Sequence, residues 1–312
     1  MLSFVLKRIA SAIVLIVVVS FISFALTWLT PGDPARAILG ISATDAQVEA
    51  KRTALGLDQN VFAAYIGWVR GVLTGDLGTS WFTNQSVADS IATRLPVTLS
   101  ITIVAILLAG VIGVGIGLLA AARRGAVDSA IQPFAVLGFA VPNFIVAILL
   151  ITVFAINLRM VPATGWVDFG SDPSLWAKSI VLPVIALAIA ATAAVAQQTR
   201  NAAIATMQQD YVRTLRARGL GTGSIYLKHV LRNSAPVALT VLSLQFIGLL
   251  SGAVVIEYMF ALPGIGALTV GAATQQDQPV IQGAVITVVI AVVVVNLIMD
   301  LAYAWLNPKV RS

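Results

Sequence analysis

Apolar residues are gathered into six uncharged windows, at residues 9–32, 95–122, 129–158, 179–199, 233–256 and 278–299. About 20 helical residues cross a hydrocarbon layer of about 30 Å, so each window is long enough to span. Their Val, Ile, Leu and Ala runs lack period-two alternation, which favours helices over barrel strands. The pattern predicts spans at about 9–30, 96–122, 130–157, 179–199, 235–256 and 279–299. A seventh window, 258–276, contains Pro263, Gly264, Gly266 and Gly271 and ends in Thr-Gln-Gln. It reads as a short interfacial or re-entrant piece, because broken backbone at membrane depth is tolerated only against protein or water. The expectation is an all-α membrane protein with six transmembrane helices and a single transmembrane domain, 1–312.

Two polar stretches separate these windows. The loop 31–94 carries five basic and six acidic residues and is nearly neutral. Within it, 46–57 is rich in helix formers behind Thr44, a suitable N-cap. Residues 61–73, with Phe62, Tyr65 and Trp68, suit a membrane interface. The second stretch, 200–234, is different. Between Thr199 and Ala235 lie six of the 19 Lys and Arg residues and one acid, Asp210. Its centre reads Asp210-Tyr-Val-Arg-Thr-Leu-Arg-Ala-Arg-Gly219, then Leu-Gly-Thr-Gly, then Ser224-Ile-Tyr-Leu-Lys-His-Val-Leu-Arg-Asn233.

This stretch predicts a charged helix, a glycine turn and a second charged helix. Ile204, Met207, Tyr211 and Leu215 recur at spacings of three and four and form one apolar stripe, with Gln209, Arg213 and Arg216 opposed. Gly219 suits a helix C-terminus, where Arg216 and Arg218 complement the dipole. Leu227, Val230 and Leu231 form a second stripe, with Lys228, His229 and Arg232 opposed. Pro236 then falls near the start of the next span. Two amphipathic halves suit a partner offering a groove with acidic edges. A solvated loop is the plainer alternative.

Composition and charge orient the chain. It is 59% hydrophobic and 10% charged, with a mean hydropathy of +0.96. Soluble domains are about 25% charged, so lipid is the solvent, and the net charge of +6 marks cytoplasmic loops rather than nucleic-acid binding. With the N-terminus inside, segments 1–8, 123–128, 200–232 and 300–312 hold 12 of the 19 basic residues and 3 of the 13 acids. Both termini and the 200–234 loop are thus expected in the cytoplasm and the 31–94 loop outside. The first window is longer than the usual signal-peptide core of about 7–15 residues and lacks a small-x-small site before Trp28, so an uncleaved first helix is expected. With no cysteine there is no disulfide or thiolate site.

The charged stretch resembles the cytoplasmic EAA loop of ATP-binding-cassette importer permeases, a Glu-Ala-Ala, three residues, then Gly, followed by Ile-x-Leu-Pro. Arg213, Thr214 and Leu215 occupy the Glu-Ala-Ala positions, Gly219 the glycine, and His229-Val-Leu-Arg232 the last block, so Gly219 and Leu231 alone match. Arg-Thr-x-Arg-Ala-x-Gly-Leu followed by Lys-His-x-Leu-Arg-Asn is similar to the peptide importers' own version. Other pieces agree in order: Pro31-Gly-Asp-Pro-Ala35, Leu55-Gly-Leu-Asp58, Gly75-Asp-Leu-Gly78 before Ser80, and Ala140-Val-Pro-Asn-Phe144. Glu257-Tyr-Met-Phe260, Leu262-Pro-Gly-Ile-Gly266, Asp277-Gln-Pro-Val-Ile-Gln-Gly283, Asp300-Leu-Ala-Tyr303 and Asn307-Pro308 complete the set. Together they resemble the B-type permease subunit of dipeptide and oligopeptide importers.

That resemblance implies a type I importer permease fold in a bacterial or archaeal-type cytoplasmic membrane. It implies a C-type permease partner, two cytoplasmic ATPase subunits or domains, and an extracytoplasmic peptide-binding protein. The coupling helices would lie between spans 4 and 5, on Asp210, Tyr211, Arg213, Thr214, Arg216, Arg218, Gly219, Lys228, His229 and Arg232. ATP and Mg would belong to the ATPases, with no cofactor bound by this chain and no catalytic site in it.

The residues agree on the last point: no Gly-x-x-x-x-Gly-Lys-Ser/Thr run exists, and a single histidine makes a metal site a poor expectation. Gly113-Val-Gly-Ile-Gly117 suits close helix packing. Gln198, Gln245, Glu257 and Asn296 are candidate pathway residues. Such side chains either face a wet cavity or bond between helices. The rival classes are an ion-coupled secondary transporter, a membrane scaffold, and a permease for nickel or haem. A secondary transporter predicts an ionisable residue inside a span, and none of the windows contains one.

Overall fold

A computed structural model describes residues 2–123, 125, 128, 133, 137–138 and 140–306, with side chains from Arg8 to Trp305. Expectations for Lys7, Arg124, Lys309, Arg311, the Asn307-Pro308 tail and most of 129–139 lie outside the described side chains. Among the described residues, five helices are long and apolar enough to cross a membrane: Arg8–Leu29, Val87–Ala122, Pro173–Met207, Thr222–Met259 and Gln278–Trp305. The expected third span is described only in its second half. There α6 (Asn143–Leu150) follows the break at Val141-Pro142 and continues as a π-helix, Ile151–Asn157.

The chain forms two compact units, Leu2–Val97 with Pro263–Val293, and Thr98–Leu262 with the stretch from Val294. The first begins with α1 (Leu2–Leu29), whose Ile13, Val14 and Leu26 stay exposed, as a lipid-facing surface requires. Its other face is aromatic. Phe21 stacks on Phe62 at 5.5 Å, Phe24 meets Tyr65 edge-on at 5.5 Å, and Tyr65 Oη lies 2.8 Å from Ser20 Oγ. Phe62 and Tyr65 belong to α4 (Val61–Leu73), so the aromatic segment of the loop packs on the first span.

Short caps organise the loop. Asp33 accepts hydrogen bonds from the amides of Ala35 and Arg36 and starts α2 (Pro34–Leu39). Thr44 caps α3 (Asp45–Ala54) in a reciprocal capping box with Gln47, as its position predicts. Arg52 then ties α3 to Asp33 at 2.9 Å. The loop ends earlier than the charge pattern indicates: α5 (Val87–Ala122) already includes residues 87–94, with Pro96 inside it. Asp89 lies in the first turn, where a negative charge favours the helix.

The rest of the unit comes from far along the chain. Residues 258–276 do not form one membrane-length helix: after a turn they form α10 (Ile265–Gln275), 11 residues long. Gln276 closes it at φ 58°, and α11 (Gln278–Leu306) follows. Val87, Ile91, Ile265, Val280, Ile281 and Ala284 form the apolar core. Gly283 admits this approach, since a Cβ there would lie 2.4 Å from Val87 Cγ1. Buried Asp277 accepts Ser80 Oγ at 2.5 Å and the Trp81 amide at 3.2 Å, joining two motifs almost 200 residues apart.

The second unit is built around α7 (Pro173–Met207), 72% of whose apolar window is buried against 33% for α5. Its alanines let neighbours approach closely. A Cβ on Gly113 would lie 2.8 Å from Val195 Cβ, and one on Gly117 would lie 2.5 Å from the Ala196 carbonyl; Gly115 faces open space. Those two glycines therefore serve packing, as their span position indicates.

Candidate functional site

The charged stretch folds differently from its pattern in three respects. First, α7 runs two turns past residue 199, so Arg200 is helical and pairs bidentately with Asp128, its Nε 2.5 Å from Oδ1. Second, the helix breaks at Gln208-Gln209, so the stripe of Ile204, Met207, Tyr211 and Leu215 comes from two helices. Third, the second charged helix is not separate: Thr222–Met259 is one continuous helix, α9, with Pro236 inside it.

Residues Ile225–Val230 of α9 are π-helical. An i→i+5 ladder lays residues five apart on one face, so Ile225 and Val230 both point inward, at 1% and 0% exposure. Leu227, assigned to the apolar stripe by α-helical spacing, is instead 67% exposed. Below this surface Ala121, Ala203, Val212, Ile225 and Val230 form a small buried core, flanked by Ile204, Met207, Tyr211, Leu215 and Tyr226. Val212 is the residue the stripe misses. The break at Gln208 shifts the helical phase, and no periodic signal runs across it.

On this core sits α8 (Asp210–Ala217). Asp210 lies in its first turn and Arg216 in its last, each complementing the dipole. Arg218 follows, and Gly219 at φ +80° reverses the chain, with no atom within 4 Å of the place a Cβ would take. Two hydrogen-bonded side chains fix the element. Tyr226 Oη donates to the Ala121 carbonyl at 3.0 Å, and Asn233 Nδ2 donates to Tyr211 Oη at 2.8 Å and to the His229 carbonyl at 2.9 Å. Partial burial pushes the Tyr211 phenol above its ordinary value, opposed by the bond from Asn233.

The cations stay outside. Arg213, Arg216, Arg218, Lys228 and Arg232 are exposed, as is Thr214, and His229 is half-buried. Arg213 approaches Asp210 at 3.5 Å, with side chains 78% and 95% exposed. Such a pair contributes little, so the element presents a basic surface on a packed base.

The four polar span residues are not joined by hydrogen bonds among the described residues. Gln198 is exposed at the end of the fourth span, and Gln245 lies midway along α9. Asn296 lies on α11, its Oδ1 buried without a partner. Glu257 is fully buried near the end of α9 and accepts Thr98 Oγ1 at 2.5 Å. Thr98 carries no signal in the sequence that would link it to Glu257.

These helices and the basic element define an all-α membrane permease, and comparisons with known proteins agree. The family profile of binding-protein-dependent transport system inner membrane components matches residues 113–312, and its N-terminal companion matches residues 1–102. The chain belongs to this family. It is 38% identical over 312 residues to a Brucella abortus (strain 2308) protein carrying the name of a putative peptide transport system permease, covering 100% of this chain and 99% of that one. It is 35% identical to the glutathione transport system permease protein GsiC of Escherichia coli O6:H1, with the same coverage. Identity to the di/tripeptide transport system permease protein DppB of Pseudomonas aeruginosa (strain UCBPP-PA14) is 33% over 333 residues, covering 100% and 99%. Among solved structures, an inward-facing MetNI methionine ABC transporter chain aligns with a TM-score of 0.55 at 16% identity, over 70% of this chain and 96% of that one. That likeness is one of fold.

Proposed function

We propose that this chain is the permease subunit of an ATP-driven importer that brings short peptides into the cytoplasm. The observation that carries the coupling role is the α8–α9 element: a cluster of cations and Gly219 on a packed apolar base. ATPase subunits would dock there, contacting Arg213, Arg216 and Arg218 on α8 and its turn, and Lys228, His229 and Arg232 on α9. Asp210, Tyr211 and Thr214 set the helix start and its seat. The three relatives named for peptide or glutathione transport support the choice of cargo.

A C-type permease completes the membrane pair, and an extracytoplasmic binding protein delivers peptide. ATP and Mg are bound by the ATPases, and this chain supplies no catalytic group. Gln198, Gln245, Glu257 and Asn296 remain the pathway candidates, with Gln245 foremost because Glu257 is engaged by Thr98. All of residues 1–312 act as one transmembrane domain with cytoplasmic termini.

Two measurements test this reading. Proteoliposomes holding the whole importer should accumulate a radiolabelled dipeptide only with ATP and the binding protein; accumulation without ATP contradicts it. A cysteine at Asp58→Cys should react with an impermeant reagent added outside. Reaction only from the cytoplasmic side contradicts the topology.

A further inference from the structure

Two adjoining cavities lie within the first unit, walled by the end of α1, the 31–94 loop and the start of α11. The larger is about 520 Å³ and the smaller about 190 Å³, and they share Trp28, Trp81 and Gln278 in their walls. The larger has the size of a small-molecule site, about 300–1,000 Å³. We propose that together they bind the free amino end of a short peptide, at a site additional to the transport pathway.

Charge favours a cation in the larger cavity. Asp33, Glu49 and Asp58 line it against one guanidinium, Arg52. Arg52 is shared by Asp33 at 2.9 Å and Glu49 at 3.4 Å. Asp58, exposed at the rim, has no ion-pair partner among the described residues. Trp28 and Trp81 add aromatic faces, which attract ammonium groups.

The smaller cavity asks for both a donor and an acceptor. Gln282, fully buried, gives its Nε2 hydrogens to Ser23 Oγ at 3.2 Å and Thr27 Oγ1 at 3.4 Å. The Thr27 hydroxyl proton is committed to the carbonyls of Ser23 and Phe24, at 3.0 and 2.9 Å. Thr27 therefore accepts from Gln282, which fixes the amide's orientation and leaves Oε1 without a partner. Gln278, 7% exposed, has an unpartnered Nε2, and Trp68 has an unpartnered Nε1. Both line the smaller cavity with Gln282. Orphaned buried groups of this kind are costly. These atoms have almost no accessible surface, so a bound peptide would meet them as the side chains turn into the cavity; its N–H and C=O supply what they lack, and the ammonium one residue away would reach the carboxylates and tryptophans. The choice of a peptide over other ammonium compounds rests on the import reading above.

The test titrates the intact importer complex in nanodiscs, without binding protein, against Ala-Ala and N-acetyl-Ala-Ala, following heat and tryptophan fluorescence. Ala-Ala should bind saturably and its acetylated form at least tenfold more weakly. Asp58→Asn, a change at an exposed side chain, should weaken Ala-Ala about fivefold or more, and Trp81→Leu should also weaken it. Equal binding of the two peptides, an unchanged titration for both variants, or no saturable binding overturns the proposal. Dipeptide uptake by the same complex with its binding protein separates the two readings. Uptake with no such binding removes this site and leaves import standing. Binding without uptake removes the import reading and leaves the site.

Discussion

The α8–α9 element and the first unit are assembled on opposite principles. In the former, Tyr211 and Asn233 meet across 22 positions, and Gly219 makes the turn alone. In the latter, Ser80 meets Asp277 across 197 positions, Pro31 meets Gln276 across 245, and Ser23 meets Gln282 across 259. One is encoded mostly by neighbours, with Tyr226 reaching back 105 positions to Ala121, and exposes its charge; the other is encoded by distant pairs and hides its polar groups. A device that must face a partner tolerates local construction, whereas a cavity needs walls drawn from several parts of the chain.

Substituting glycines separates the two. Gly283→Leu drives a side chain into Val87 and Ile91, where a Cβ already stands 2.4 and 3.0 Å from their atoms. Overpacking of this kind costs about 1–3 kcal/mol or more, so the solubilised protein should lose the largest share of thermal stability or fail to accumulate. A melting temperature equal to the parent's contradicts the packing. Asp277→Ala comes next. It strips the acceptor from Ser80 Oγ and the Trp81 amide, both held by a buried carboxylate. Groups left unpaired in this way cost about 1–3 kcal/mol, and tryptophan emission from the 81 region should change with the loss.

Gly219→Ala is milder. At φ +80° with open space around it, the residue meets only backbone strain, roughly 1–2 kcal/mol for a left-handed L-residue. Stability should fall slightly while ATPase coupling falls more. Equal losses in both would place the effect in folding alone.

The smallest effect is that of pH on Asp33. Partial burial alone would raise its pKa, yet the bond from Arg52 and the amides of Arg36 and Ala35 hold it below the ordinary carboxylate value. A depressed pKa stabilises the folded state above the unfolded value, about 3.9, and this is lost as pH falls through the folded value. Arg52 is 45% exposed, so screening keeps the contribution small. Asp33→Asn should flatten the acid limb of a stability profile and leave neutral behaviour nearly unchanged. An identical acid limb in both proteins contradicts the pairing.

The same contrast explains what the sequence discloses. The α8 helix, its glycine turn, the Thr44 cap and the broken 258–276 piece are legible because each is set by residues within a few positions. The π-helical stretch at Ile225–Val230 is not, since no residue type announces an i→i+5 ladder, and it is what exposes Leu227 and buries Ile225. The two motifs around Ser80 and Asp277 are each visible, but nothing in either says that they meet. Thr98 and Glu257 are hidden for the same reason.

In the proposed importer, the basic element is the point where ATP hydrolysis would be transmitted to the membrane. Reversing charge at Arg213→Glu and Arg216→Glu together alters two exposed side chains outside the buried core, so the cost to folding should be small. Uptake and ATP hydrolysis are then measured side by side in proteoliposomes holding the complete importer. The account predicts at least a tenfold loss of dipeptide uptake, with ATPase subunits released or hydrolysis no longer tied to transport. Full uptake with the ATPases still bound would contradict it.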